Sequence, residues 1–213
     1  MYKALDEIAI VLTGHPRQQK FWGPTLLCLE RYPGPIVLAY DDIDTKALTG
    51  HIGSPIQRVV VTGFEPGRLG HGPGELVCMQ KGFDVAAEWG APYAVKLGCD
   101  DPPWRWRNFT QFAQRLETES LDCIDCQTRI IFGRTAKLTD AMHLTDLTAR
   151  KGSAESYWSW AVGKMGLRRD MVKQQSWWTE GIGVIHIQGE YALNAGQTTA
   201  WTWKEGELWP RNP

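Results

Sequence analysis

The chain has 213 residues, enough for one substantial hydrophobic core, and its 43% hydrophobic and 22% charged composition is that of a globular protein, not a disordered, collagenous or coiled-coil one. A net charge of −1 excludes a general electrostatic pull toward nucleic acid or an anionic membrane, so such a partner would need a local basic patch. No run approaches the ~18 apolar residues of a membrane span, the N-terminal stretch lacks the layout of a secretory signal, and the five cysteines are scattered, so a cytoplasmic single domain over 1–213 with reduced thiols is expected.

Ile8 to Thr13 is a short, continuous, β-branched run stopped by Gly14-His15-Pro16, the pattern of a buried strand. Helical spacing of Phe21, Trp22, Leu26, Leu27 and Leu29 follows through Tyr32, where Pro33-Gly34-Pro35 ends it. Ile36 to Tyr40 predicts a second strand leading into Asp41-Asp42, and Gln57 to Thr62 a third. A glycine-rich loop from Gly63 to Gly74 precedes a helix expected over Glu75 to Trp89, and Ala91 to Leu97 predicts a fourth strand. Alternating strands and helices imply an α/β fold, Rossmann-like, with a mostly parallel sheet and helices on both faces. The second half predicts a helix over Phe109 to Leu116, a strand over Arg129 to Gly133, a helix over Ala154 to Met165 and a strand over Ile182 to Gln188.

In such sheets ligands bind outside the carboxyl ends of the strands. Those ends carry Thr13, Gly14, His15 and Arg17, then Asp41, then the glycine loop with Gly72, then Asp100-Asp101. Pro102-Pro103 stops the fourth strand and leaves the two aspartates in a turn, where paired carboxylates suit Mg²⁺ or Mn²⁺ completed by substrate phosphates. Cys123 and Cys126 have the C-x-x-C form of half a zinc site or a redox pair, but no second pair follows at zinc-ribbon spacing, and buried thiols are the expectation. Eleven tryptophans, several paired in sequence, offer flat surfaces for a base or a sugar, although many must serve the core.

The segment Gly70 to Asp101 (GHGPGELVCMQKGFDVAAEWGAPYAVKLGCDD) resembles the GT-A fold glycosyltransferases, in which a loop and helix precede a strand ending in Asp-x-Asp, often with a lysine two places before it. The likeness covers about residues 8 to 101, which would form the nucleotide-sugar half, with an acceptor half beyond 102. It departs from the family at Gly98, which stands where the first aspartate would be. The resemblance implies a nucleotide-sugar donor, such as a UDP-sugar, contacted by Thr13, Gly14, His15, Arg17, Asp41, Gly72, Lys96 and Asp100. It also implies a weakly held divalent cation on Asp100, Asp101 and a late histidine, His186, whose imidazole favours manganese. An inverting member needs a carboxylate base, for which Glu155, at a helix start, and Glu180 are candidates, with Asp101 a third acidic group at the reacting centre. Trp104, Arg105, Trp106 and Arg107, with Lys151, Arg168 and Arg169, could form a basic aromatic wall for an acceptor. That acceptor could be DNA bearing a modified base, as in phage DNA glycosyltransferases. Two rivals remain open: a nucleotidyltransferase on a similar sheet, and a non-catalytic module whose tryptophans grip carbohydrate or nucleic acid.

Overall fold

A computed structural model describes residues 4–15, 22–41, 55–63, 69, 71–103 and 105–172, with the backbone of two later strands. In chain order the elements are β1 (Ile8–Gly14), α1 (Trp22–Leu29), β2 (Ile36–Tyr40), β3 (Arg58–Val61), α2 (His71–Glu88), β4 (Tyr93–Gly98) and α3 (Phe109–Thr118). There follow β5 (Cys123–Cys126), β6 (Ile130–Arg134), α4 (Thr135–Met142), α5 (Ala154–Met165) and β7 (Arg169–Met171), then an antiparallel pair, β8 (Trp201–Lys204) and β9 (Glu207–Pro210). The expected strand at Ile182 to Gln188 lies outside the described residues.

Strands β1 to β7 form one sheet in the order β3-β2-β1-β4-β6-β5-β7. Neighbours are parallel on the β3-β2-β1-β4 side, and β6 alone runs against β4 and β5. The reversal has a local cause. Only Gln127 to Arg129 separate β5 from β6, Gln127 has φ +55°, and a connection this short can join antiparallel strands only.

Because successive strand residues point to opposite faces, the continuous apolar runs of β1, β2 and β4 feed two cores. Ile10, Leu12, Val95, Leu97 and Phe132 meet Trp22 and Leu29 of α1 and Phe109, Phe112 and Leu116 of α3. Ala9, Val11, Ala94 and Ile131 meet Leu76 and Phe83 of α2, Leu138 of α4 and Trp158 of α5. The sheet is thus a mostly parallel layer covered on both sides, as expected. No described helix is long and apolar enough to cross a membrane.

Two helix starts matter for the site, and one of them differs from expectation. Helix α2 begins at His71, not Glu75, so Gly72-Pro73-Gly74 forms its first turn; a proline is accommodated there because the first N–H groups of a helix have no intrahelical partner. Helix α5 spans the expected residues, with the Ser153 hydroxyl accepting from the Ser156 N–H (3.2 Å) and Gly166 closing it at φ +63°.

Candidate functional site

Four parallel strands end level with one another on one edge of the sheet. Gly14 pairs with Tyr40, Tyr40 with Val61, and Thr13 with Gly98. The ladder continues one residue further, through Asp41 N–H to Gly14 O (2.9 Å), Thr62 N–H to Tyr40 O (3.0 Å) and Cys99 N–H to Thr13 O (2.9 Å). Backbone pairing therefore brings Thr13, Gly14, Asp41, Thr62 and Cys99 side by side. His15 follows directly, while Arg17 lies outside the described residues.

Asp41 is buried, and the Thr62 hydroxyl donates to its Oδ1 at 3.4 Å. A Cβ on Gly74 would stand 2.3 Å from Asp41 Oδ2, so the glycine admits this carboxylate against the first turn of α2. Gly72 abuts Gly152 and Ala154, which brings the starts of α2 and α5 together at the same edge. Thr62 was not singled out from sequence, because its contact with Asp41 spans 21 residues and leaves no local signal.

The end of β4 is shaped by two aspartates folded back over a glycine. Gly98 N–H donates to Asp101 Oδ2 at 2.9 Å, and Asp101 N–H returns a bond to Gly98 O at 3.0 Å. A Cβ on Gly98 would lie 2.4 Å from Asp100 Oδ1 and 2.6 Å from Asp101 Oδ2, so both carboxylates crowd the space that a side chain would fill. Both aspartates are buried, as are Pro102 and Pro103. This pair fits a hard divalent cation that takes one or two carboxylates and completes its shell with substrate phosphates. Among the described residues no three Asp, Glu, His or Cys side chains converge into a metal-holding group, and His186 lies outside them.

Behind this edge, on the α2 face, Lys96 is buried with its ammonium on Glu75 Oε1 (2.7 Å) and Thr128 O (2.5 Å). The Thr128 hydroxyl donates to Glu155 Oε1 (3.2 Å) at the start of α5. Burial works to raise the Glu155 pKa. Bonds from its own N–H, Ser153 and Thr128, with Lys96 nearby, outweigh it and hold the carboxyl below the ordinary glutamate value. Glu180 lies outside the described residues.

No protein-family model matches the sequence, and no curated protein matches it. Among solved structures the chain is similar to a protein from Desulfovibrio desulfuricans G20 assigned provisionally as a nucleotide-diphospho-sugar transferase, with TM-score 0.56, 11% identity, and 78% of this chain and 80% of that one covered. The two chains share a fold. This chain is also similar to a 4-diphosphocytidyl-2C-methyl-D-erythritol synthase, with TM-score 0.51, 13% identity, and 91% and 98% covered. At these identities the likeness concerns the fold alone.

Of the residues expected in a basic aromatic wall, Trp106, Arg168 and Arg169 are engaged elsewhere. Trp106 is core: its indole N–H donates to Cys28 O (3.0 Å) and its ring meets Tyr32 edge-on at 5.5 Å, with the Arg107 guanidinium 4.6 Å above it. Arg169 makes two 2.6 Å bonds to Asp125, and Arg168 bonds Glu119 O; both sit where β7 begins, the edge opposite Asp100. Trp104 is outside the described residues. Trp22 and Trp158 are also core, whereas Trp160 is 41% exposed beside Arg150. Cys123 and Cys126, three apart on β5, face opposite cores and cannot share a metal or a disulfide; burial pushes the Cys123 thiol up to about 12.

Proposed function

We propose that this chain transfers a glycosyl group from a nucleoside-diphosphate sugar to a hydroxyl acceptor. The observation that carries the reading is the Gly98 turn, which stacks Asp100 and Asp101 at the end of β4, level with Thr13. In this reading the nucleoside lies across the ends of β1 and β2, where Asp41 accepts from a base or ribose donor. Asp100 and Asp101 would hold the cation, Mg²⁺ or Mn²⁺, whose remaining positions donor phosphates would complete. Such a cation, when bound, neutralises charge on the departing diphosphate. Glu155 serves as base: it takes the acceptor proton as the hydroxyl oxygen bonds to the anomeric carbon and the bond from that carbon to the diphosphate breaks. With Trp106, Arg168 and Arg169 engaged elsewhere, the argument for a DNA acceptor loses those three residues.

A nucleotidyl transfer is the second reading, favoured by the nearly full mutual coverage with the diphosphocytidyl-methylerythritol synthase. The two differ in the bond broken. A thermal-shift screen of nucleotide-sugars and nucleoside triphosphates, with and without Mn²⁺, followed by product analysis, separates them. Stabilisation by a nucleotide-sugar and release of free nucleoside diphosphate are expected, whereas pyrophosphate released from a triphosphate would replace the first reading by the second.

A further inference from the structure

A buried ammonium is costly unless it is paired and hydrogen-bonded, so the placement of Lys96 calls for a use. Its side chain is 3% exposed and its partner Glu75 17%, so the pair is shielded from solvent. Lys96 comes from β4, Glu75 from α2 and Thr128 from the turn between β5 and β6; Thr128 accepts from the ammonium through its carbonyl and donates to Glu155 through its hydroxyl. One cation thereby ties together the helix that abuts Asp41, the strand that ends in Asp100-Asp101, and the start of α5. An ammonium so engaged would have to abandon a carboxylate to reach a ligand.

We propose that Lys96 and Thr128 are positioning residues for the acceptor-side base, holding the Glu155 carboxylate in place through the Thr128 hydroxyl, with Glu75 as the counter-charge that fixes the ammonium. This rests on the reading of Glu155 as base. Its alternative is that Lys96 contacts the donor diphosphate directly. Around Glu155 the participating groups are Ser153 on its own cap, Thr128 from the turn, Lys96 from β4 and, through Lys96, Glu75 from α2.

The test compares Thr128→Val, Thr128→Ser, Lys96→Met and the double variant Lys96→Met/Glu75→Gln, the last of which leaves no unpaired buried charge. The Glu155 carboxyl is followed by carbon NMR titration, assigned with Glu155→Gln, which needs no turnover. Donor affinity and the pH profile of kcat/KM are then measured with the full chain. Removing a neighbouring cation or a donated hydrogen bond raises a carboxyl pKa. The Glu155 titration and the acid limb of kcat/KM should therefore both move up in Thr128→Val and in the Lys96 variants and stay in place in Thr128→Ser. The value of kcat should fall about tenfold with donor KM changed less than about twofold, the pattern of an interaction made in the transition state. A Glu155 titration that none of the variants moves would overturn the proposal, as would a large loss of donor affinity with the acid limb unmoved. If the parent chain releases no nucleoside diphosphate, the base assignment fails, while the titration still decides whether the coupling exists.

Discussion

At Gly98 a single missing side chain decides whether two carboxylates can share a site. Any Cβ there would press on Asp100 Oδ1 and Asp101 Oδ2, and Asp101 cannot retreat without giving up the bond it accepts from Gly98 N–H. Gly98→Ala should therefore cost about 1–3 kcal/mol of stability as an overpacked site and lower turnover by more than tenfold. Gly98→Asp should be worse because it adds a third negative charge at the same point. Asp100→Asn, nearly isosteric, should instead leave the melting temperature close to that of the parent while abolishing transfer. Thermal melts paired with product assays check all three, and a Gly98→Asp variant with gained activity would refute the account. From sequence, Gly98 reads as an absent ligand. Its role as the floor under two folded-back aspartates depends on three-dimensional crowding that a motif does not express.

The elements show the same division between what a pattern carries and what only packing reveals. Strands β1, β2 and β4 are legible because burial on both faces demands unbroken apolar runs, and α5 is legible because a serine cap and a glycine stop frame it. Strand β5 is not: Asp125 interrupts its apolar character, and its four residues read as a thiol motif. The aspartate is tolerated because Arg169 of β7 grips it with two bonds and the Trp158 indole of α5 adds a third at 3.0 Å, so a polar group joins three elements. Burial pushes this carboxyl above the ordinary aspartate value despite those donors. Arg169→Met should thus destabilise the fold by about 3–5 kcal/mol, because it strands a carboxylate with no exposed side-chain surface, whereas Asp125→Leu combined with Arg169→Met should recover most of the loss. Urea unfolding of the single and double variants measures this, and a double variant no better than the single would show that packing around the pair, not charge, sets the cost.

For the molecule as a whole, the alternation of strands and helices is enough to place the ligand edge, since a parallel sheet of four strands has only one set of carboxyl ends. It does not reveal how those ends are wired to the opposite half, because Glu75, Lys96, Thr128 and Glu155 meet across separations of 21 to 32 residues. The wiring has a consequence for metal binding. Carboxylates belonging to the described residues are divided among separate tasks: Asp41 lies against α2, Glu75 on Lys96, Glu155 on Thr128, and Asp101 partly on Gly98 N–H. On the proposed reading Asp100 and Asp101 hold the cation, and two carboxylates alone bind Mg²⁺ or Mn²⁺ weakly because the remaining positions stay with water. A nucleotide-sugar brings two phosphates to that edge, so metal and donor should bind cooperatively, and by linkage each must tighten the other by the same factor. Calorimetry with Mn²⁺ alone, UDP-sugar alone and both together should give a coupling of about 1–3 kcal/mol, equivalent to roughly 5–150-fold. His186→Ala should reduce that coupling if the histidine joins the shell, and Asp100→Asn should remove it. Full activity in excess EDTA would shift the neutralising role to basic side chains, with Arg105, four residues beyond Asp101 in the chain, first in line.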